Sequence, residues 1–244
     1  MKYLKSIFIV LAFISFFCSS SEDLEIRNSR DRFEIAKKLF LEGSYVKALE
    51  NLKIIAYEKG VQFADSVQYL LGECYFNTEQ YILAASEYND LIRFNPGSSL
   101  VPEARFKVGL CYYKISPKSV LDQSYTNRAI FEFQNFIEYF PTHEKAREAE
   151  KLIIELRNKL AEKEYNTAIL YVKMNKYRSA LIYFNSVLEK FHDSSFADLA
   201  QFGIIQIYIA QNKTNLAKTE INKFLSKYPN SKLREQVAKL KESI

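Results

Sequence analysis

The chain has 244 residues, 48% of them apolar, with only 6 Gly and 5 Pro, no Trp, 19 Phe and 17 Tyr. So few backbone breakers exclude a turn-rich all-β fold and favour long helices. The net charge of +5 falls to +3 once the first seventeen residues, with Lys2 and Lys5 and no acid, are set aside: 32 basic against 29 acidic. That near-neutral balance, with both signs mixed along stretches such as Glu144, Lys145, Arg147 and Glu148, reads as solvated helix surface and excludes a nucleic-acid binder with a basic stripe.

The chain opens on a positive start followed by an apolar run from Ile7 to Phe17 broken only by Ser15. A spanning helix needs about 20 apolar residues, so this run has the length of a signal-peptide core instead. Cys18 ends the run and Ser19, Ser20, Ser21, Glu22 and Asp23 follow. The pattern resembles a bacterial lipoprotein signal, with Cys18 as the lipidated first residue of the mature chain, although Phe16 and Phe17 are bulkier than that signal usually has. Acyl chains on one residue hold a soluble domain on a membrane at ~0.8 kcal/mol per buried CH₂, with no need of a spanning helix. Residues 1–17 then read as the signal peptide and 18–29 as a lipid-anchored linker.

Internal repetition organises the rest. Four apolar helical runs end alike, at Asn95-Pro96-Gly97-Ser98, Phe140-Pro141-Thr142-His143, Phe191-His192-Asp193-Ser194 and Tyr228-Pro229-Asn230-Ser231. Proline stops a helix and the small polar residues start the next. Upstream stands an Ala in each case, Ala84, Ala129, Ala180 and Ala217, and a first unit adds Ala48. Twelve residues before four of these five come Ala36, Gly72, Ala168 and Ile205, and three further on Leu39, Tyr75, Tyr171 and Tyr208. The third unit has Gly109 and Tyr112, but its Ala129 arrives eight residues late. A frame of small residue, aromatic, small residue and Pro is the tetratricopeptide signature: small residues let two helices approach and the ring fills the space beside them.

This frame predicts an all-α superhelical array of five helix hairpins, at 29–62, 65–98, 102–143, 161–194 and 198–231, with an insert at 116–124. No Gly or Pro interrupts 142–174, which predicts one long bridging helix over 144–174. It divides the array into an N-terminal half (30–143, three units) and a C-terminal half (144–244, the long helix and two units). Cys74 and Cys111 fall at equivalent places in neighbouring units, as buried small apolar residues or as a disulfide.

Stacked hairpins of this kind share one core and leave a curved surface lined by their first helices. The fifth position of the five units is Phe33, Tyr69, Phe106, Tyr165 and Phe202; the twelfth is Phe40, Phe76, Tyr113, Val172 and Ile209. The i, i+7 spacing puts both on one helix face. The N-terminal half therefore offers Phe33, Phe40, Tyr69, Phe76, Phe106 and Tyr113 as a groove for an aromatic-rich extended peptide, unless these rings are simply core. Lys37, Glu73, Asn77 and Lys114 stand nearby to pair with peptide backbone or a terminal carboxylate.

No reaction chemistry emerges. His143 and His192 sit in turns without partners at metal-ligand spacing, and no phosphate-binding or nucleophile motif occurs, so neither an enzyme, a metal nor a cofactor is expected. Asn212-Lys213-Thr214 reads as a helix connector rather than a glycosylation site.

Residues 30–244 resemble the BamD (ComL/YfiO) family of outer-membrane assembly lipoproteins. The resemblance is strongest from Asp122-Gln123 through Thr126, Ala129, Phe133, Phe136 and Tyr139-Phe140-Pro141 to Arg157, Leu160-Ala161, Glu164, Ala168, Tyr171, Tyr177 and Ala180. It implies a periplasm-facing, lipid-anchored outer-membrane subunit of the β-barrel assembly machinery. The C-terminal half would contact BamA, other machine subunits would join, and the N-terminal half would receive unfolded outer-membrane proteins. Tyr183 stands where that family often has an Arg, so a charge contact at that place does not carry over. The competing expectation is a periplasmic tetratricopeptide adaptor in cell-wall, division or pilus assembly.

Overall fold

The computed structural model describes residues 28–244, so the signal peptide, Cys18 and the linker up to residue 27 lie outside the described residues. Within them the chain forms eleven α-helices. They are α1 (Ser29–Leu41), α2 (Tyr45–Ala56), α3 (Ala64–Asn77), α4 (Tyr81–Phe94), α5 (Val101–Lys114), α6 (Ser124–Tyr139), α7 (Ala146–Lys173), α8 (Tyr177–Lys190), α9 (Ala197–Ala210), α10 (Thr214–Lys227) and α11 (Arg234–Ser243). Asn28 caps α1, its side chain accepting from the amides of Arg30 (2.8 Å) and Asp31 (3.0 Å).

Four hairpin turns share one backbone solution. Gly43, Glu79, Asn175 and Asn212 all adopt positive φ (76°, 61°, 57° and 55°) at the fifteenth position of units 1, 2, 4 and 5. Each closes a Schellman motif: in unit 1 the Ser44 amide reaches the Leu39 carbonyl and the Gly43 amide reaches Phe40, and the other three repeat this pattern. Unit 3 lacks this turn and carries residues 115–123 instead.

The hairpins α1–α2, α3–α4, α5–α6, α7–α8 and α9–α10 stack in chain order. Close approach explains the small residues. A Cβ on Gly72 would stand 2.5 Å from the Tyr88 ring, one on Gly109 2.7 Å from Phe133, and one on Gly203 2.4 Å from Phe184. Ala36, Ala48, Ala84, Ala129, Ala168, Ala180 and Ala217 are all fully buried. The loop edge is tied within units as well. Ser98 donates to Asp65 and Ser231 to Asp198, each at 2.6 Å and each across 33 residues.

Helix α7 has 28 residues, about 42 Å at 1.5 Å per residue. Its first part packs Ala149 and Leu156 against Phe106, Phe133 and Phe136 of unit 3. Its second part packs Ala161 and Ala168 against Phe184 and Val187 of α8. Between these two cores its polar side chains reach sideways. Arg157 holds the loop after α8, through Asp193 (2.8 Å) and the Lys190 carbonyl (2.8 Å), and Asn158 accepts from the Ser195 amide (2.8 Å). Arg157 keeps the Asp193 carboxyl below its ordinary range. On the other flank Lys159 and Lys163 reach the unit 3 insert, at Ser116 Oγ (2.8 Å) and the Leu121 carbonyl (2.5 Å).

The insert is itself built around buried polar groups. Gln123 donates to the carbonyls of Lys118 (2.9 Å) and Leu121 (3.0 Å) and accepts from Thr126 (2.7 Å), whose hydroxyl also meets Ser116 (2.7 Å). Helix α11 is an addition to the sequence reading, which placed no element after 231. It lays Val237, with Leu240 and Ile244, on the core of α9 and α10.

Candidate peptide-binding face

First helices of successive units touch one another, α1 with α3, α5 with α7 and α7 with α9, while second helices do not to the same degree. Helices on the inside of a curved stack come closer together, so the first helices form the inner face. The residues singled out in the sequence divide sharply upon it.

Position twelve supplies half-buried rings. Phe40 meets Tyr45 edge-on (5.4 Å, 61°) and Phe76 meets Tyr81 likewise (5.2 Å, 75°), so each ring is braced by the first residue of its own second helix. Tyr113 donates its hydroxyl to Glu155 of α7 (2.7 Å), and burial followed by that bond pushes its pKa up to about 12. Position five behaves differently. Phe33 and Phe106 are buried, packed on Phe63 (5.0 Å) and on Phe133 and Phe136 (5.7 and 5.5 Å). They are core rings with no face to offer a peptide, because the neighbouring hairpin closes over them. Tyr69 is intermediate: half-buried, 5.7 Å from the Tyr88 ring, its ionisation suppressed by desolvation and then by Glu73.

Glu73 is the polar centre of this surface. Its carboxylate meets Lys107 of α5 at 2.7 Å and accepts from the Tyr88 hydroxyl at 2.6 Å, with only 14% and 16% of the Glu73 and Lys107 side chains exposed. The Lys107 ammonium also lies 4.8 Å from the centre of the Phe76 ring. The structure thus brings Tyr69, Glu73 and Phe76 together and adds Lys107, which sequence reading missed. Its signal was the separation of 34 residues from Glu73, one helical turn short of the 37 between units 2 and 3, which faces the two across adjacent first helices. Asn77 is exposed and donates to the Glu73 carbonyl (2.8 Å). Lys37 pairs with Glu34 on its own helix (3.0 Å), one unit away, and Lys114 is exposed at the end of α5.

Cys74 and Cys111 are buried free thiols, each pushed up to about 12, chiefly by desolvation. They are protonated packing groups. Among the described residues no group of three His, Cys, Asp or Glu is placed to hold a metal, and no helix is long and apolar enough to cross a membrane.

Comparison with known proteins places this architecture. The profile of the YfiO family, described as an outer membrane lipoprotein, matches residues 27–208, three quarters of the chain. The chain belongs to this family. A tetratricopeptide-repeat profile also matches residues 199–231. Two relatives of this chain bear the name outer membrane protein assembly factor BamD. That of Caulobacter vibrioides is 24% identical over 149 residues, 61% of this chain and 49% of the relative. That of Rickettsia prowazekii is 24% identical over 189 residues, 77% and 75% of the two chains. The chain therefore spans about half the length of the first and three quarters of the second. A solved tetratricopeptide protein from Parabacteroides merdae is similar over 91% of this chain and 87% of its own, with 18% identity and a TM-score of 0.44. Within the YfiO match lie Gln123, Thr126 and Arg157, the side chains that close the insert and tie the long helix to the loop after α8.

Proposed function

We propose that this YfiO-family lipoprotein is a non-catalytic scaffold of outer-membrane protein assembly, anchored through Cys18 with its repeats in the periplasm. The inner face of its N-terminal half holds aromatic segments of unfolded barrel proteins. Its C-terminal half docks a BamA-like barrel protein. The observation that carries the reading is the family match over residues 27–208. Supporting it, Tyr69 and Phe76 present half-buried rings beside the Glu73–Lys107 pair and Tyr113 adds a third further along α5, a surface able to stack aromatic side chains and meet a peptide carboxylate with an ammonium. Phe33 and Phe106 form the floor beneath rather than part of the contact.

The test is affinity for a fluorescent peptide copying the aromatic C-terminal strand of a barrel protein. Phe76→Ala with Tyr113→Ala should weaken it roughly tenfold or more, at about 1 kcal/mol or above per lost ring, with the helical signal intact. Unchanged affinity would remove the groove from the proposal. Co-purification from membranes should recover the barrel protein; recovery of a cell-wall synthase without it would overturn the assembly role. Mass spectrometry of the mature N-terminus should find acyl chains on Cys18.

A further inference from the structure

The stack is sealed at every junction but one. In units 2, 3 and 5 the seventh and tenth positions of the first helix face the preceding hairpin and are buried: Leu71, Val108 and Ile204, then Cys74, Cys111 and Ile207. Each set shares a core with the second helix before it; Ile204 and Ile207, for example, cluster with Phe184 and Val187 of α8. Unit 4 breaks the rule. Its seventh and tenth positions are Thr167, half-buried, and Leu170, 56% exposed, and one turn further Met174 is 49% exposed.

The cause lies in α7. Unit 3 packs on the first part of this helix and its core reaches no further than Leu156, whereas the core of unit 4 begins at Ala161. The extra length, 28 residues against 14 in α3, α5 and α9, displaces unit 4 by 14 residues, about 21 Å along the helix, beyond the reach of α6. Unit 1 also has no preceding hairpin among the described residues, and there the tenth and fourteenth positions are the exposed Lys38 and Glu42, the polar end that a terminal repeat needs for solubility. Leu170 and Met174 are not such a cap. They are inter-repeat packing residues without the helix that covers their counterparts.

The face also has a second wall. Lys163 donates to the Leu121 carbonyl and so fixes the tip of the insert at the start of this surface, where Val120 is 74% exposed and Leu121 56%. Lys118 and Lys173 stand exposed at its borders, while the acid of the tip, Asp122, is bonded to the Ser124 amide (2.9 Å).

We infer that this notch receives an amphipathic helix of a partner protein, lying antiparallel to α7 where a preceding second helix lies elsewhere in the array. The occupant presents an apolar stripe at i, i+3/i+4, i+7, of the kind Ala180, Phe184 and Val187 form in α8, and acidic residues toward Lys118 and Lys173. The site is separate from the N-terminal aromatic face and does not depend on it.

A helix-stapled, fluorescent peptide copying residues 177–190 with Arg178→Glu and Lys190→Glu, which keeps the apolar stripe and supplies the acidic face, is the probe, read by anisotropy against the full chain in detergent micelles. It should bind, and Leu170→Glu with Met174→Glu should weaken it at least tenfold. Lys38→Glu, at the equivalent place in unit 1, should leave it unchanged. Both positions are exposed, so the double variant should keep the wild-type melting curve, which circular dichroism checks. No binding, or equal binding to the double variant, overturns the inference. So does concentration-dependent self-association in the ultracentrifuge that the double variant abolishes, since the face would then belong to a second copy.

Discussion

The two halves of the array use one repeat frame for different surfaces. In the N-terminal half position twelve is Phe40, Phe76 and Tyr113, and a partly buried ion pair bridges α3 and α5. In the C-terminal half the same position is Val172 and Ile209, and the outlying apolar groups sit on a face that the long helix has pulled away from its neighbour. The small-residue positions are kept in both halves, Ile205 of unit 5 excepted, while the position-twelve ring and the charge positions change. Packing of helix pairs is therefore what the frame encodes, and recognition is written on the positions the frame leaves open.

Three variants would break or sharpen this contrast. The largest effect belongs to the shared frame. Phe184→Ala empties a fully buried site against Gly203 and should cost about 3–5 kcal/mol in denaturant unfolding. Adding Gly203→Ala restores atoms beside the cavity and should recover part of that loss. A cost below about 1 kcal/mol would show that the C-terminal half is loosely packed and not framed like the first. Next comes Lys107→Met, which leaves Glu73 partly buried without its cation. It should destabilise the N-terminal half by about 2–3 kcal/mol, discounted for residual exposure, and a Glu73→Gln, Lys107→Met double variant should be milder. Additive losses would mean that the two groups do not act as a pair. The smallest effect is a gain. Glu79 holds φ at 61°, where a side chain costs about 1–2 kcal/mol, so Glu79→Gly should stabilise by about 0.5–1 kcal/mol after glycine's own entropy. Thermal melting reads the sign directly, and a loss would show that the strain is absent.

The ten hairpin helices, their pairing and the long bridge were legible because they rest on periodicity and on Gly and Pro, which act locally. The bridge was expected at 144–174 and runs from Ala146 to Lys173. Helix α11 was missed because its apolar signal is only Val237 and Leu240, one turn apart in a short, charged sequence. The face was only partly legible. Spacing put Phe33, Tyr69 and Phe106 on the same side as Phe40 and Phe76, but whether a ring is floor or surface depends on how far the next hairpin leans over it. Lys107 was hidden for a similar reason: its partner lies one repeat away, and only stacking brings them together. The exposure of Leu170 has no local signal, because the register offset behind it is a property of two units rather than of one helix.

The insert of unit 3 has a consequence for how these chains can change length. A Schellman turn admits no spare residue, since its paired backbone bonds, such as Ser44 to Leu39 and Gly43 to Phe40, fix how many residues lie between the two helices. In unit 3 that constraint is replaced by a side chain: the Gln123 amide and Thr126 hydroxyl gather the loop's carbonyls into a closed knot that Lys159 and Lys163 fasten to the long helix. The loop is thus a gauge block between unit 3 and the bridge. Shortening it by one residue should strand the buried Gln123 amide, and Gln123→Leu made together with the deletion should recover part of the lost stability.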